Sequence, residues 1–174
     1  MTALDHALRE LDRATAEFLA TMEGVAASDY LASPGAGRWS LAENAEHTTV
    51  VIRGVERLFS TRLLSQPMAD TDRQLGDADL SGLLINRAQP IQAPEMVRPK
   101  GRWTTREEMA AALNATTEGI ISWSRGAPVD LRAYGAPHPL IGPLDGVQWL
   151  LFLGLHTDRH ARQAEEIRRA VESG

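Results

Sequence analysis

Residues 144–171 read LDGVQWLLFLGLHTDRHARQAEEIRRAV, and their apolar side chains recur with the period of one long amphipathic helix. One face of this predicted helix carries Trp149, Leu153, His156, His160, Ala164, Ile167 and Val171. These positions lie three or four residues apart, so at about 100° per residue they fall within a stripe about 80° wide. The stripe is expected to face the core of the protein, although two of its members are histidines.

Two earlier segments show the same helical period. The first spans residues 3–23 and is followed by Gly24, a typical residue after a helix end. The second begins at Ser40, which forms a capping box with Glu43 three residues later, and continues to about Leu64. Both segments have one apolar face, which predicts that they pack against other helices.

A further helix is predicted near the middle of the chain. Thr104 or Thr105 can cap it, with Glu107 or Glu108 as the capping-box partner, and Gly126 marks its end. The sequence leaves open which of the two threonines is the cap.

The segments between the four predicted helices are irregular. Residues 65–103 and 127–143 are rich in proline, which opposes continuous helix, although a brief helical turn from Asp79 to Asn86 remains compatible with the sequence. We therefore predict an all-α protein, a four-helix bundle with crossover connections, in which residues 1–174 form a single domain.

Composition narrows the classes of function. The 174 residues include no cysteine, which excludes disulfides, cysteine-bound zinc and thiol nucleophiles. The 18 basic and 23 acidic residues give a net charge of −5, which argues against a nucleic-acid partner. No apolar run is long enough for a membrane span, and Met1 to Arg13 lack the apolar region of a secretory signal. A cytoplasmic location is the expectation.

The placement of three histidines is the main functional indication. His156 and His160 lie four residues apart on the inward face of the last predicted helix, so their rings project from adjacent turns. His47 shares the edge of the apolar face of the second predicted helix with Val51 and Leu58. A shared metal ion would satisfy several buried imidazoles at once, but such residues can also be hydrogen-bonded core histidines.

Neighbouring polar and aromatic residues have simpler interpretations. His6 is expected to be a solvated helix residue, and His138, in a proline-rich loop, could border the pocket. Glu43 is explained by its capping box, although it could also orient or join a metal site. Trp39 fits a helix entrance better than a substrate contact, and Asp158 lies on a different face from the histidine pair.

Several motifs, taken in order, resemble one known family. Residues 39–47 read W-S-x-x-E-x-x-x-H, residues 138–144 read H-P-x-x-G-x-L, and residues 156–163 read H-x-x-x-H-x-x-Q. Residues 148–150 and the stretch from Pro94 to Trp103, with its P-x-G-x-W-T character, are also similar. This ordered set resembles the DinB/YfiT-like superfamily.

The resemblance implies a four-helix protein with a metal ion held by His47, His156 and His160. It also implies frequent dimers, and a family that includes hydrolases, thiol-dependent transferases and isomerases that use low-molecular-weight thiols, and members without known activity. The expected cofactor is a divalent metal ion, zinc or nickel first and iron or manganese next.

Three neutral histidines would leave a coordination position open, as catalytic metal sites do. The first hypothesis is therefore a metal-dependent hydrolase or thiol S-transferase that acts on a small-molecule substrate, with a low-molecular-weight thiol as a candidate partner. The rival hypothesis is a non-catalytic metal- or ligand-binding stress-response protein, and a third is an interaction module whose histidines belong to the core.

A homodimer is also expected, mainly from the resemblance. The apolar residues Leu151, Phe152 and Leu155 lie on the outward side of the last predicted helix and need cover. A second copy of the chain could cover them, and so could loops of the same chain.

Overall fold

The computed structural model describes residues 1–85 and 92–173 of the chain. Within this described part there are six α-helices and one two-stranded sheet. In chain order they are α1 (Ala3–Met22), α2 (Ala27–Leu31), α3 (Leu41–Thr61), α4 (Asp77–Ile85), α5 (Arg106–Gly126), β1 (Gly135–His138), β2 (Gly142–Asp145) and α6 (Gly146–Glu172). The protein is mostly helical, and none of these described helices is long and apolar enough to cross a membrane.

Capping boxes fix the starts of the helices, as the sequence predicts. Ser40 caps α3: its hydroxyl accepts the Glu43 N–H at 3.2 Å, and the Glu43 carboxylate accepts the Ser40 N–H at 2.9 Å. Of the two threonines before α5, Thr105 is the cap and Glu108 is its partner. Both boxes satisfy N–H groups that have no partner within their helix.

The start of α6 uses a cap that the sequence reading missed. Asp145 is fully buried and accepts the Gln148 N–H at 2.8 Å, so α6 begins at Gly146 rather than at Leu144. The second Asp145 oxygen pairs with Arg132 at 2.9 Å and with Arg73 at 3.0 Å. These arginines compensate the buried charge and tie the preceding loops to the helix.

The core lies between four long helices. α1 packs along α6, and α3 contacts both α5 and α6. At Gly154 the approach of α1 to α6 is close, because a Cβ placed there would lie 3.0 Å from the Leu11 backbone nitrogen. The largest side chains that these contacts bury include Leu8, Phe18, Ile52, Phe59, Met109, Leu113 and Ile120.

The connection at residues 127–143 is not irregular throughout, which corrects the predicted all-α class. β1 and β2 form an antiparallel hairpin that pairs Gly135 with Asp145 and His138 with Gly142. Prolines argue against a strand only where a backbone N–H is needed, and a two-stranded ribbon has outward-facing positions that tolerate them. The hairpin is tied to α6 by the Trp149 indole N–H, which donates to the Ala136 carbonyl at 3.1 Å.

Two short helices also lie in segments predicted as loops. α2 occupies part of the predicted loop before Ser40, and α4 replaces the brief turn predicted from Asp79 to Asn86. Asn86 itself lies outside the described residues. α4 packs against α6, so tertiary contact supports a helix for which the local signal was weak.

The apolar residues predicted to face outward on the last helix are covered by the same chain. Leu151 is 6% exposed and Phe152 is 4% exposed, and Leu155 is partly buried against the core. The reason is that α6 is contacted by α1, α3, α4 and β2. These three residues therefore give no support to the predicted homodimer.

The tight approach of α1 to α6 gives a stability prediction. Gly154→Val should lower the free energy of unfolding by about 1–3 kcal/mol, because the added methyl groups meet α1 backbone that cannot move aside. Urea unfolding followed by circular dichroism measures this. Gly54→Ala is the matched control: Gly54 lies within α3 with open space around its Cβ position, and the change should stabilise the protein by about 0.5–1 kcal/mol. A Gly154→Val protein with wild-type stability would contradict the close packing.

Candidate metal centre

The packing of α3 against α6 brings together the three histidines singled out in the sequence. His47 comes from α3, and His156 and His160 come from successive turns of α6. Their ring centroids lie 4.5 Å apart for His156 and His160, 4.8 Å for His47 and His160, and 5.2 Å for His47 and His156. One nitrogen from each ring lies within 4.8 Å of the other two. We call these three residues the histidine cluster.

The spacing within the histidine cluster fits a metal ion. The Nε2 atoms of His47 and His156 are 3.3 Å apart. Two nitrogens bound tetrahedrally to zinc at about 2.0–2.1 Å are themselves about 3.3–3.4 Å apart. This pair of nitrogens therefore already has the separation of two ligands of one zinc ion.

Two of the three rings are held in the tautomer that metal binding requires. The Val97 carbonyl can only accept, so His47 donates to it through Nδ1–H, with a nitrogen–oxygen distance of 2.9 Å. Asn44 donates its side-chain N–H to the His160 carbonyl at 2.9 Å and accepts the His160 Nδ1–H at 2.6 Å. With the proton on Nδ1, both rings present the lone pair of Nε2 to the cluster.

His156 is held differently from the other two rings. Its Nδ1 atom is buried and has no hydrogen-bond partner in the described part of the chain. Its ring packs against Phe152 instead, with centroids 5.3 Å apart. An unpaired buried polar atom costs about 1–3 kcal/mol. Because no hydrogen bond within the described residues orients Nδ1, packing and the neighbouring rings of the cluster set the position of this ring.

Burial keeps two rings of the cluster neutral. Burial lowers the pKa of His47. Burial also lowers the pKa of His156 well below its ordinary value, and the adjacent His160 and His47 rings lower it further. Neutral imidazoles have a free lone pair at pH ~7, which is the form that binds a metal ion.

Aromatic side chains flank the cluster. The Trp39 ring lies 4.9 Å from that of His47 and is stacked 6.5 Å from that of His160. Trp39 thus does more than mark the entrance of α3, which was the simpler interpretation of the sequence. It covers one side of the cluster with an apolar surface.

His138 lies beside the site but not in it. Its ring lies 4.6 Å from that of Phe152 and 5.2 Å from that of Trp149, and Phe152 also packs against His156. Its Nδ1 accepts the Leu140 N–H at 3.2 Å. The sequence-based suggestion that His138 borders the site agrees with this position, whereas His6 is solvent-exposed on α1.

In the described part of the chain, no carboxylate joins the histidine cluster. Glu43 is occupied by the cap of α3, and Asp158 pairs with Arg162 at 3.0 Å and with Arg13 at 3.4 Å. A bound divalent ion would therefore keep its full charge and would favour an anion as its next ligand.

Three groups around the cluster were not predicted from the sequence. Asn44 lies three residues before His47 on the same helix face, so a buried polar residue there was a signal that could have been used. Val97 contributes a backbone carbonyl, which leaves no trace in residue type. Glu46 is 2% exposed; burial would raise its pKa, but hydrogen bonds from Lys100 and Arg102 lower it below the ordinary value.

Acid should destabilise the protein through His138. Burial lowers the pKa of His138 to about 4, whereas an unfolded histidine has a pKa of about 6.5. The unfolded chain therefore binds a proton that the folded chain refuses. Stability present above pH ~6.5 is lost as the pH falls toward ~4, by at most about 1.4 kcal/mol per pH unit and less where solvent screens this half-buried ring.

His138→Phe keeps a ring beside Trp149 and Phe152 but cannot titrate. Urea unfolding of the metal-free protein between pH ~7 and ~5 should show a shallower loss of stability in this variant than in the wild type. Equal slopes in the two proteins would contradict the lowered pKa of His138.

Comparison with known proteins identifies the family of this chain. A family model of the DinB superfamily matches residues 10–164, a range that contains the whole histidine cluster. The chain is also similar to the uncharacterized protein YuaE of Bacillus subtilis (strain 168), with 22% identity over 139 residues that cover 80% of this chain and 83% of YuaE. No solved structure gives a significant match. From the extent of the family match, the chain belongs to the DinB superfamily.

Proposed function

We propose that the protein binds a divalent metal ion through His47, His156 and His160 and is a metal-dependent enzyme for a small molecule. The observation that carries this proposal is the convergence of three rings, two of which donate through Nδ1–H to fixed acceptors and so keep an unprotonated Nε2. Zinc and nickel suit such a nitrogen donor set best, and iron or manganese come next.

The reaction is a hydrolysis or a thiol S-transfer. A divalent ion with an open position activates a bound water at a pH near ~7 or binds a thiolate. The chain itself supplies three neutral nitrogens and no compensating carboxylate in its described part, which favours an anionic fourth ligand of either kind. A low-molecular-weight thiol is accordingly a partner that this site fits.

The flanking rings have a part in binding the substrate. Trp39 on one side and Phe152 on the other give the cluster apolar walls. Such walls exclude water from the polar centre and pack against the apolar part of a small molecule. His138, behind Phe152, is neutral at pH ~7 because burial lowers its pKa, so it carries no charge toward the site.

A non-catalytic role is the second candidate. In the described part of the chain no carboxylate joins the cluster to act as a general acid or base. This observation favours a metal- or ligand-binding stress-response protein over an enzyme that needs such a group. The two candidates share the same metal ligands and differ only in turnover.

Other features remain proposals. We infer a single domain over residues 1–174 in which α1, α3, α5 and α6 are the helices of a four-helix bundle and the intervening segments are its crossover connections. The homodimer now rests on the family alone. The cytoplasmic location and the absence of a nucleic-acid partner rest on composition, including the net charge of −5.

Removal of one ligand tests the metal site. Zinc at about 100 times its dissociation constant should stabilise the wild type by about 2.7 kcal/mol, or roughly 5–10 °C in Tm for a chain of this size. His156→Ala should lose most of this increase and most of its zinc content, because two ligands remain. His6→Ala replaces an exposed histidine and should behave as the wild type. Differential scanning fluorimetry and elemental analysis of protein without a histidine tag measure both effects.

Full zinc binding by His156→Ala would overturn the metal-site proposal.

A measurement of turnover separates the two candidate functions. Metal-loaded protein should hydrolyse an ester or amide, or conjugate a low-molecular-weight thiol, and it should lose that activity in chelator and in His156→Ala. Tight, specific metal binding without turnover on these substrate classes would favour the stress-response role.

A further inference from the structure

A buried carboxylate lies next to the histidine cluster in the sequence but points elsewhere. Glu46 precedes His47 on α3 and is 2% exposed. A buried charge needs partners, and this one has four. The Lys100 and Gly101 N–H groups donate to it at 2.8 Å, and Arg102 donates through its N–H at 3.2 Å and through its guanidinium.

The loop is shaped to surround this carboxylate. Consecutive N–H groups from residues 100–102 converge on one anion, an arrangement known as a nest. Gly101 has a φ of +72°, a left-handed conformation that glycine adopts without strain. A Cβ on Gly101 would meet no atom within 4 Å, so the need for glycine here is conformational rather than steric. These contacts account for the glycine and the arginine that precede Trp103, whereas Lys100 contributes only its backbone N–H.

The same loop carries the group that orients His47. Val97 lies in the single helical turn Glu95–Val97, and its carbonyl accepts the His47 Nδ1–H. Two adjacent residues of α3 therefore bind one loop, Glu46 at residues 100–102 and His47 at Val97. If the Glu46 contacts are lost, the loop is free to withdraw the Val97 carbonyl from the ring.

We propose, on the basis of the proposed function, that Glu46 is a positioning residue of the metal centre. By holding residues 100–102 it keeps the Val97 carbonyl against His47, and so keeps the Nε2 lone pair of His47 directed into the histidine cluster. Partners of metal ligands usually change metal affinity by about 10–100-fold when they are removed. Glu46 contacts the loop that carries Val97 and not the His47 ring itself, so we expect a loss of metal affinity at the lower end of that range.

The test compares two buried carboxylates. Glu46→Gln removes the charge and places an amide N–H against the N–H donors of the loop. Asp145→Asn is the matched control, since Asp145 is also buried, bonded to a backbone N–H and paired with arginine, but it caps α6 away from the Val97 loop. Zinc affinity, measured by competition with a chromophoric chelator, should fall about 10-fold in Glu46→Gln and stay at the wild-type value in Asp145→Asn.

A second readout uses the metal-free protein. Proton–nitrogen correlation spectra of the imidazoles should show His47 as one tautomer, protonated at Nδ1, in the wild type and in Asp145→Asn. Glu46→Gln should show a mixture of tautomers and faster exchange of the Lys100 and Gly101 amides. A purely structural role would lower Tm in both variants without moving the His47 signals.

The outcomes separate this inference from the metal-site proposal. If wild-type protein binds no zinc, the proposed function fails, and the His47 tautomer still decides the role of Glu46. If Glu46→Gln loosens residues 100–102 but keeps the His47 tautomer and the zinc affinity, the positioning role is wrong. Should Glu46→Gln fail to fold, Gly101→Ala strains the same nest without touching α3 and should give the same loss of the single tautomer.

Discussion

The reciprocal pair of hydrogen bonds between Asn44 and His160 is the contact on which the site depends. Asn44 is completely buried, and its amide both donates to the His160 carbonyl and accepts the His160 ring N–H. The pair fixes α3 against α6 at one register, and one helical turn along α3 places His47 opposite His156. Because both groups are buried, a slip of either helix would leave several polar atoms unpaired, which is costly.

The carboxylates that the fold buries in the described part of the chain are paired with groups outside the histidine cluster. The two buried carboxylates, Glu46 and Asp145, are each neutralised by arginine and by backbone N–H groups. The cluster itself consists of imidazole rings with aromatic neighbours, and burial lowers the pKa of His47 and His156. Under the proposed function, a bound divalent ion is then the dominant charge of the site. That favours hydroxide or thiolate as its next ligand and makes water exclusion by Trp39 and Phe152 important.

Helical periodicity and caps were sufficient to predict most of the helical fold. The Ser40 and Glu43 box and the inward stripe of α6 located two helices, and the i, i+4 spacing of His156 and His160 pointed to two of the three residues of the histidine cluster. His47 needed its inward position together with the family pattern. The hairpin was not predicted because its sequence is rich in proline, which normally argues against a strand. The Val97 carbonyl was not predicted because a backbone carbonyl is present in every residue type.

The most direct test of the central claim is a crystal structure of the zinc-loaded protein with anomalous data collected at the zinc absorption edge. We expect one strong anomalous peak per chain, about 2.0–2.1 Å from Nε2 of His47, His156 and His160, with the fourth position held by solvent or an added thiol. Either a histidine cluster without an anomalous peak at saturating zinc, or a peak bound by other residues, would contradict the account.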